Sequence, residues 1–354
     1  MNVAIINDSR TAAEVLRRIL AELPSFDLLW TAYSGEEALR LITTAQPDII
    51  LMDLIMPGID GAETTRRIMR SHPCVILVVT ATTVGNRAQV FEAMGHGALD
   101  AVNTPTLGPN GDMAGAEPLL QKLRTVARLV APARAPATPP PSLSMSSVRR
   151  SLDKSTLPIV AIGASTGGPQ ALAQVLAALP PNFPAAVVIA QHVDEHFAKG
   201  LADWLQHHTS LTVRIAQQGD SLAPATIYVA GTKDHLVYNV GGFLTYTPDP
   251  IDTPYRPSVD ALFSSLAEPH RATCIGVLLT GMGRDGAAGL LAMRSTGALT
   301  IAQDAATCVV YGMPKAAVDL KAATEVLPLI EIGPRIRAAI LRESKPKAEL
   351  ASST

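Results

Sequence analysis

Six short runs of this chain are apolar through their middle, and each leads into a segment whose apolar residues recur at helical spacing. They are VAIIN with Thr11 to Leu23, DIILMD with Gly61 to Arg70 and VILVVT with Arg87 to Met94, then PIVAIG with Pro169 to Leu179, AAVVIAQ with Phe197 to His208 and CIGVLLT with Ala287 to Thr296. A strand that alternates apolar and polar side chains has one wet face; a strand without that alternation must be covered on both sides. Such strands separated by helices form parallel sheets flanked by helices, so the expected fold class is α/β, doubly wound. Ligands of these sheets bind beyond the carboxyl ends of the strands. The residues just past each run are therefore where chemistry is to be sought.

The two sets of three runs are separated by APARAPATPPPS, Ala131 to Ser142, with five prolines in twelve residues, followed by the serine-rich and basic SLSMSSVRRSLDK. This stretch propagates neither a helix nor a sheet ladder and reads as a semi-rigid spacer. At 354 residues the chain exceeds one ordinary core, and 47% apolar against 17% charged residues supplies two. The expected organisation is a first unit at 1–125, a linker at 126–156, a second unit at 157–342 and a flexible tail at 343–354. A formal charge of −2 leaves no global basic footprint for nucleic acid. Cys74, Cys274 and Cys308 are odd in number and widely spaced, so neither a disulfide framework nor a zinc site is indicated. The start, MNVAIINDSR, lacks a basic leader, and the longest apolar runs are far short of a membrane span. A soluble, cytoplasmic protein without direct membrane insertion is expected.

Past the strand runs of the first unit stand Asn7 and Asp8, Asp53, Thr80, and Asn103 with Thr104. Singly, an Asp or Thr at such a turn is a good helix N-cap. As a set they bring acids and hydroxyls to one end of a sheet, where a carboxylate pair is costly unless a cation is shared. A hard divalent ion such as Mg2+, held by one or two carboxylates and water, meets that need. MDLIMPGIDG, with IINDS before it and VVTATT after it, resembles the receiver domain of two-component response regulators. The resemblance implies a flavodoxin-like sheet in which Asp53 accepts a phosphoryl group from phosphohistidine. It further implies that Asp8 and Asp53 hold Mg2+, with Asn7 reaching the ion through water and Thr80 hydrogen-bonding the phosphoryl group. Two positions depart from the family pattern: Asn7 replaces the first of the usual acidic pair, and Thr104 replaces the lysine before Pro105. Without that lysine a phosphoryl charge of about −2 loses a partner.

In the second unit, Gly163-Ala164-Ser165-Thr166-Gly167 fits the G-x-S-x-G pattern, whose glycines let the chain turn sharply and expose a serine nucleophile. The competing reading is a phosphate-binding glycine turn at a helix N-terminus. It is weakened because Ser165 stands where the second glycine of the dinucleotide fingerprint would be. A nucleophilic serine needs a base and an orienting acid. AAVVIAQ is followed at once by His192, and CIGVLLT by GMGRDGAAGL with Asp285. Taken singly, Asp285 also has the lesser reading of a cap on the next helix, and His196, His207 and His208 fall on the helix after AAVVIAQ. Ser165, His192 and Asp285, each past its own strand, form a triad whose chain order differs from that of the α/β-hydrolases.

AIGASTGGPQAL, AQHV, YRPSVDALFSSLA, LLTGMGRDGAAGL and QDAATCVVYGMPKAA resemble the catalytic domain of the chemotaxis protein-glutamate methylesterase family, CheB. The resemblance implies Ser165 as nucleophile, His192 as general base and then acid, and Asp285 as orienting carboxylate. It gives supporting roles to Thr166 and to the Met282 amide near the oxyanion. It also implies γ-glutamyl methyl esters of methyl-accepting chemoreceptors as substrates, glutamine deamidation at the same positions, and no cofactor for the esterase. A CheA-like histidine kinase is the implied phosphodonor, with the receiver covering the active site until it is phosphorylated. Within the family, IINDS, ILMDLIMPGIDGAETTRRIM and VFEAMGHGALDAVNTP are most similar to WspF-type methylesterases of Wsp-type pathways controlling cyclic-di-GMP synthesis. Two further readings stand beside this one: a non-catalytic receiver-containing regulator that docks on receptors, and a DNA-acting response regulator. The second lacks a basic helix-turn-helix pattern.

Overall fold

The structure is a computed structural model, and it describes residues 1–80, 87–107, 113–130, 157–251, 253, 255–267 and 274–343. The proline-rich spacer and the terminal tail lie outside the described residues. The chain divides into two compact units, Met1–Ala133 and Arg134–Thr354.

The first unit runs β1 (Asn2–Ile6), α1 (Arg10–Ala21), β2 (Asp27–Ala32), α2 (Gly35–Thr44), β3 (Ile49–Met52), α3 (Gly61–Ser71), β4 (Val75–Thr80), α4 (Arg87–Gly95) and β5 (Asp100–Asn103). A small antiparallel pair, β6 (Thr106–Leu107) and β7 (Met113–Ala114), precedes α5 (Ala116–Val130). The five-stranded sheet has the order β2-β1-β3-β4-β5 with every pair parallel, the flavodoxin-like arrangement. All four residues of β3 are buried, as an apolar run flanked by helices on both faces must be. β2 is an edge strand with its first three residues exposed, which is why DLLWTA carries no comparable sequence signal. Ser9, Ser34 and Asp60 start α1, α2 and α3 by accepting from Ala12 N–H, Glu37 N–H and Glu63 N–H.

The second unit runs β8 (Ile159–Ala164), α6 (Gly168–Ala177), β9 (Ala186–Gln191), α7 (Glu195–Gln206), β10 (Thr212–Ile215), β11 (Thr226–Val229), β12 (His235–Tyr238) and β13 (Leu244–Thr247). It continues through α8 (Val259–Leu266), β14 (Cys274–Leu278), α9 (Ala287–Ser295), β15 (Leu299–Gln303), α10 (Met313–Asp319), β16 (Glu325–Leu327) and α11 (Leu329–Glu343). Seven strands form one parallel sheet in the order β10-β11-β9-β8-β14-β15-β16. β8, β9 and β14 are buried along their whole length. The chain winds outward from β8 through β9 and then returns to β14 on the other side, so its direction reverses at β8. That reversal is where doubly wound sheets open a crevice. An antiparallel hairpin of β12 and β13 lies outside the sheet, a departure from the purely parallel expectation. It braces α8: Tyr238 N–H donates to Ser265 Oγ at 2.9 Å, and Ser258 N–H donates to the buried His235 Nδ1 at 2.9 Å. Among the described residues no helix is long and apolar enough to cross a membrane.

Candidate active site and acidic pocket

Ser165 follows β8, His192 follows β9, and Asp285 lies in the loop between β14 and α9. Because β8 sits between β9 and β14, three residues far apart in number share one rim. The ladder pairs Ala164 with Gln191, and His192 N–H donates to Ala164 O at 3.0 Å. Serine and histidine are the residues that directly follow this last pair.

His192 Nε2 lies 2.8 Å from Asp285 Oδ2. The same carboxylate accepts Val259 N–H at 2.6 Å, Ser258 Oγ–H at 2.8 Å and Asp260 N–H at 3.1 Å. Four donors fill its lone pairs. Burial pushes the Asp285 pKa up, but the hydrogen bond and charge of His192, with the backbone donors, outweigh it and hold the carboxyl below its ordinary value. An ionised carboxylate only accepts, so Nε2 carries the ring proton and Nδ1 keeps its lone pair. Nδ1 is buried and has no hydrogen-bond partner among the described residues. One ring nitrogen is thus left without a partner at the rim that carries the serine. The two ring nitrogens have exchanged places relative to the serine-protease template, in which Nδ1 meets the acid.

The glycine-dense turn now has a physical cause. Gly167, the N-cap of α6, adopts φ 75°, a left-handed conformation that costs glycine nothing. A Cβ on Gly168 would lie 2.1 Å from Gln191 Oε1. That close approach lets Gln191 Nε2 donate to Ser165 O at 2.8 Å and to His192 O at 3.3 Å, so one side chain ties the backbone of both residues. Ser165 N–H donates to Thr280 O at 3.1 Å, and Thr280 Oγ1 donates to Thr166 O at 3.0 Å. A Cβ on Gly281 would sit 2.7 Å from Ser165 Cβ, so the loop after β14 lies against the serine. The next residue is Met282, for whose N–H no acceptor is found among the described residues. Thr166 is buried beside the serine. Gln191, Ser258, Thr280 and His235 were not singled out in the sequence. Ser258 had a signal, an N-cap before the apolar VDALFSSL; the others had none.

His196 and His207 lie on or at the end of α7 and are exposed, as is His208. Cys74, Cys274 and Cys308 are free thiols, and burial pushes Cys74 and Cys308 up to about 12.

In the first unit, β1 and β3 are adjacent and Asp53 N–H donates to Ile6 O at 2.8 Å, which sets Asn7 and Asp8 beside Asp53. Asp53 Oδ1 accepts Leu54 N–H at 2.7 Å and Ile55 N–H at 3.4 Å. Burial raises its pKa to about 6 against those donors, and the charge of Asp8 adds to the rise. Asn7 is buried, with Oδ1 accepting Ser9 N–H at 2.9 Å. Thr80 is buried at the end of β4, paired in register with Asn103, and Thr104 N–H donates to Thr80 O at 3.1 Å. Among the described residues no cluster of three or more His, Cys, Asp or Glu is placed to hold a metal. The pocket offers two mutually repelling carboxylates and an amide oxygen, a hard donor set whose chemistry fits Mg2+. The single lysine of this unit, Lys122, pairs with Asp100 at the opposite end of β5 and does not replace the one missing at Thr104.

Residues 160–336 match the family model of the CheB methylesterase, and residues 3–107 match that of the response regulator receiver domain. The protein-glutamate methylesterase/protein-glutamine glutaminase 2 of Cupriavidus metallidurans is 52% identical over 342 residues, 95% of this chain and 97% of that protein. Its namesake in Burkholderia lata is 49% identical over 344 residues, 97% and 99% of the two chains. The crystal structure of the Thermotoga maritima CheB methylesterase catalytic domain is 38% identical, covering 51% of this chain and 97% of that one at a TM-score of 0.49. By its family models and its full-length relatives, the chain belongs to the CheB methylesterase family, with a response regulator receiver domain ahead of the methylesterase domain.

Proposed function

We propose that the protein is a receiver-regulated protein-glutamate methylesterase that hydrolyses γ-glutamyl methyl esters on chemoreceptors by a Ser-His-Asp mechanism. The observation that carries this reading is the His192 imidazole, anchored through Nε2 to a saturated Asp285 and keeping a buried, unpartnered Nδ1 beside the serine turn. Nδ1 takes the Ser165 proton as Oγ attacks the ester carbonyl, and Asp285 stabilises the imidazolium. The oxyanion receives the Met282 N–H, and one such donor is worth about 2.7–4 kcal/mol. Collapse of the tetrahedral intermediate expels methanol, which leaves with the proton from Nδ1. Water, deprotonated by the same nitrogen, then cleaves the acyl-serine and releases glutamate. A glutaminyl side chain follows the same route with ammonia leaving, in keeping with the double name of the relatives. Thr166 supports the nucleophile turn.

In the receiver, at 1–125 and joined through the linker 126–156 to the catalytic unit at 157–342, Asp53 accepts a phosphoryl group from a CheA-like kinase. Asp8 and Asp53, with Asn7 through water, would hold Mg2+, which neutralises charge on the phosphoryl oxygens; Thr80 donates to the group. The protein acts in the cytoplasm, adapting a chemosensory signalling pathway. A non-catalytic docking role gives no reason for a poised base. Methanol release from receptor membranes carrying labelled methyl esters tests the reading: Ser165→Ala should lose release and retain receptor binding. Equal release by the variant would refute it.

A further inference from the structure

One face of the His192 imidazole is covered by Tyr255, with ring centroids 4.7 Å apart and planes within 7° of parallel. Tyr255 belongs to the turn that caps α8, so the segment that gives Ser258 Oγ–H and Val259 N–H to Asp285 also lays an aromatic ring on the base. Its hydroxyl packs on Gly283, where a Cβ would sit 2.1 Å away, one residue past Met282. Burial and the charge of Asp285 raise the Tyr255 pKa, so the phenol stays neutral. The hydrogen bond at Nε2 holds one edge of the imidazole, and the Tyr255 ring covers one of its faces.

We propose that Tyr255 is a positioning residue: its flat ring, not its hydroxyl, fixes the plane of His192 so that Nδ1 stays aimed at Ser165, and its π face receives the imidazolium formed on proton transfer. The inference rests on the hydrolase reading above. The full-length protein is compared with Tyr255→Phe, Tyr255→His, Tyr255→Leu and Ser165→Ala by methanol release and by the rate of Ser165 labelling with a fluorophosphonate probe. Small displacements at reacting groups cost up to roughly 100-fold, so Tyr255→Leu should lose about 10- to 100-fold in kcat with KM within about threefold, and labelling should slow in parallel. Tyr255→Phe should stay within about twofold of wild type, and Tyr255→His should recover most of the loss, which a volume-filling role would not predict. Thermal unfolding identifies any variant that fails to fold, and the two flat-ring variants then decide the question. Wild-type kcat in Tyr255→Leu, a loss confined to KM, or a Tyr255→Phe as impaired as Tyr255→Leu would overturn the inference. If Ser165→Ala hydrolyses and labels like wild type, the hydrolase reading falls and this inference with it. A dead Ser165→Ala beside a fully active Tyr255→Leu removes this inference alone.

Discussion

Asp285 and Asp53 are both partly or wholly removed from water, yet their protonation moves in opposite directions. Asp285 has four donors and a histidine partner, so Asp285→Asn presents an NH2 to groups that already donate and leaves His192 Nε2–H without its acceptor. The ring proton can then move to Nδ1, and that tautomer offers Ser165 no base there. Steady-state methanol release should fall roughly 10³- to 10⁴-fold in kcat. Because its folded pKa is depressed, the stability that Asp285 contributes is present above the ordinary carboxylate range and lost only as pH falls through the lower folded value. Asp53 reverses the sign. Its pKa rises from 3.8 to about 6, so the folded state binds the extra proton and stability drops as pH climbs through that window. Asp53→Asn should therefore be more stable than wild type at pH 7, by roughly 1 kcal/mol after solvent screening, with the gap closing towards pH 4. Thermal unfolding across pH 4 to 8 checks this, and added Mg2+ should stabilise wild type and not the variant. Both carboxylates could be found in the sequence, since each ends or follows a buried strand. The direction of each shift could not, because it depends on which donors the fold brings.

Helix α8 is the element that supplies three of the four donors to Asp285. Ser258 Oγ accepts Ala261 N–H as its N-cap and donates to Asp285, and the helix N-terminus adds two backbone N–H groups and a favourable dipole. Ser258→Ala should cost about 1 kcal/mol in unfolding free energy as a lost cap and should lower kcat as well. In a double-mutant cycle with Asp285→Asn the two losses of activity should be markedly less than additive, since both act on one carboxylate. Additive losses would mean that the hydroxyl serves the helix alone. The start of α8 is legible in SVDALFSSL, a capping serine before an apolar helix. That its cap also serves an acid 27 positions later is not legible, because the β14 loop reaches it only through the sheet. The β12–β13 hairpin behind it is equally silent: two four-residue strands have too short a period to separate from loop, and their register is set by packing on α8.

At the scale of the whole molecule, each unit has its own parallel sheet, and chemistry at Asp53 must alter turnover at Ser165 if the receiver regulates the esterase. A small-molecule phosphodonor should raise methanol release by wild type and leave Asp53→Ala unchanged; an unchanged wild-type rate would remove the regulatory role. Thr104→Lys should increase the phosphorylated fraction at a given donor concentration, measured by phosphate incorporation, because Lys122 is tied to Asp100 and the pocket lacks its usual lysine. The two-unit α/β organisation was written in the sequence, since a strand buried on both faces needs a continuous apolar run and that is a local property. The positions of Ser165, His192, Asp285 and Asp53 were written there too, as polar residues at the ends of such runs. Tertiary structure alone decided the strand order that sets β8 between β9 and β14, the imidazole nitrogen that meets Asp285, and the convergence of Ser258, Gln191 and Tyr255 on Asp285, Ser165 and His192. These are contacts between segments dozens of residues apart. Their geometry is fixed by how the sheet closes and how the helices pack, which no local pattern of residue types encodes.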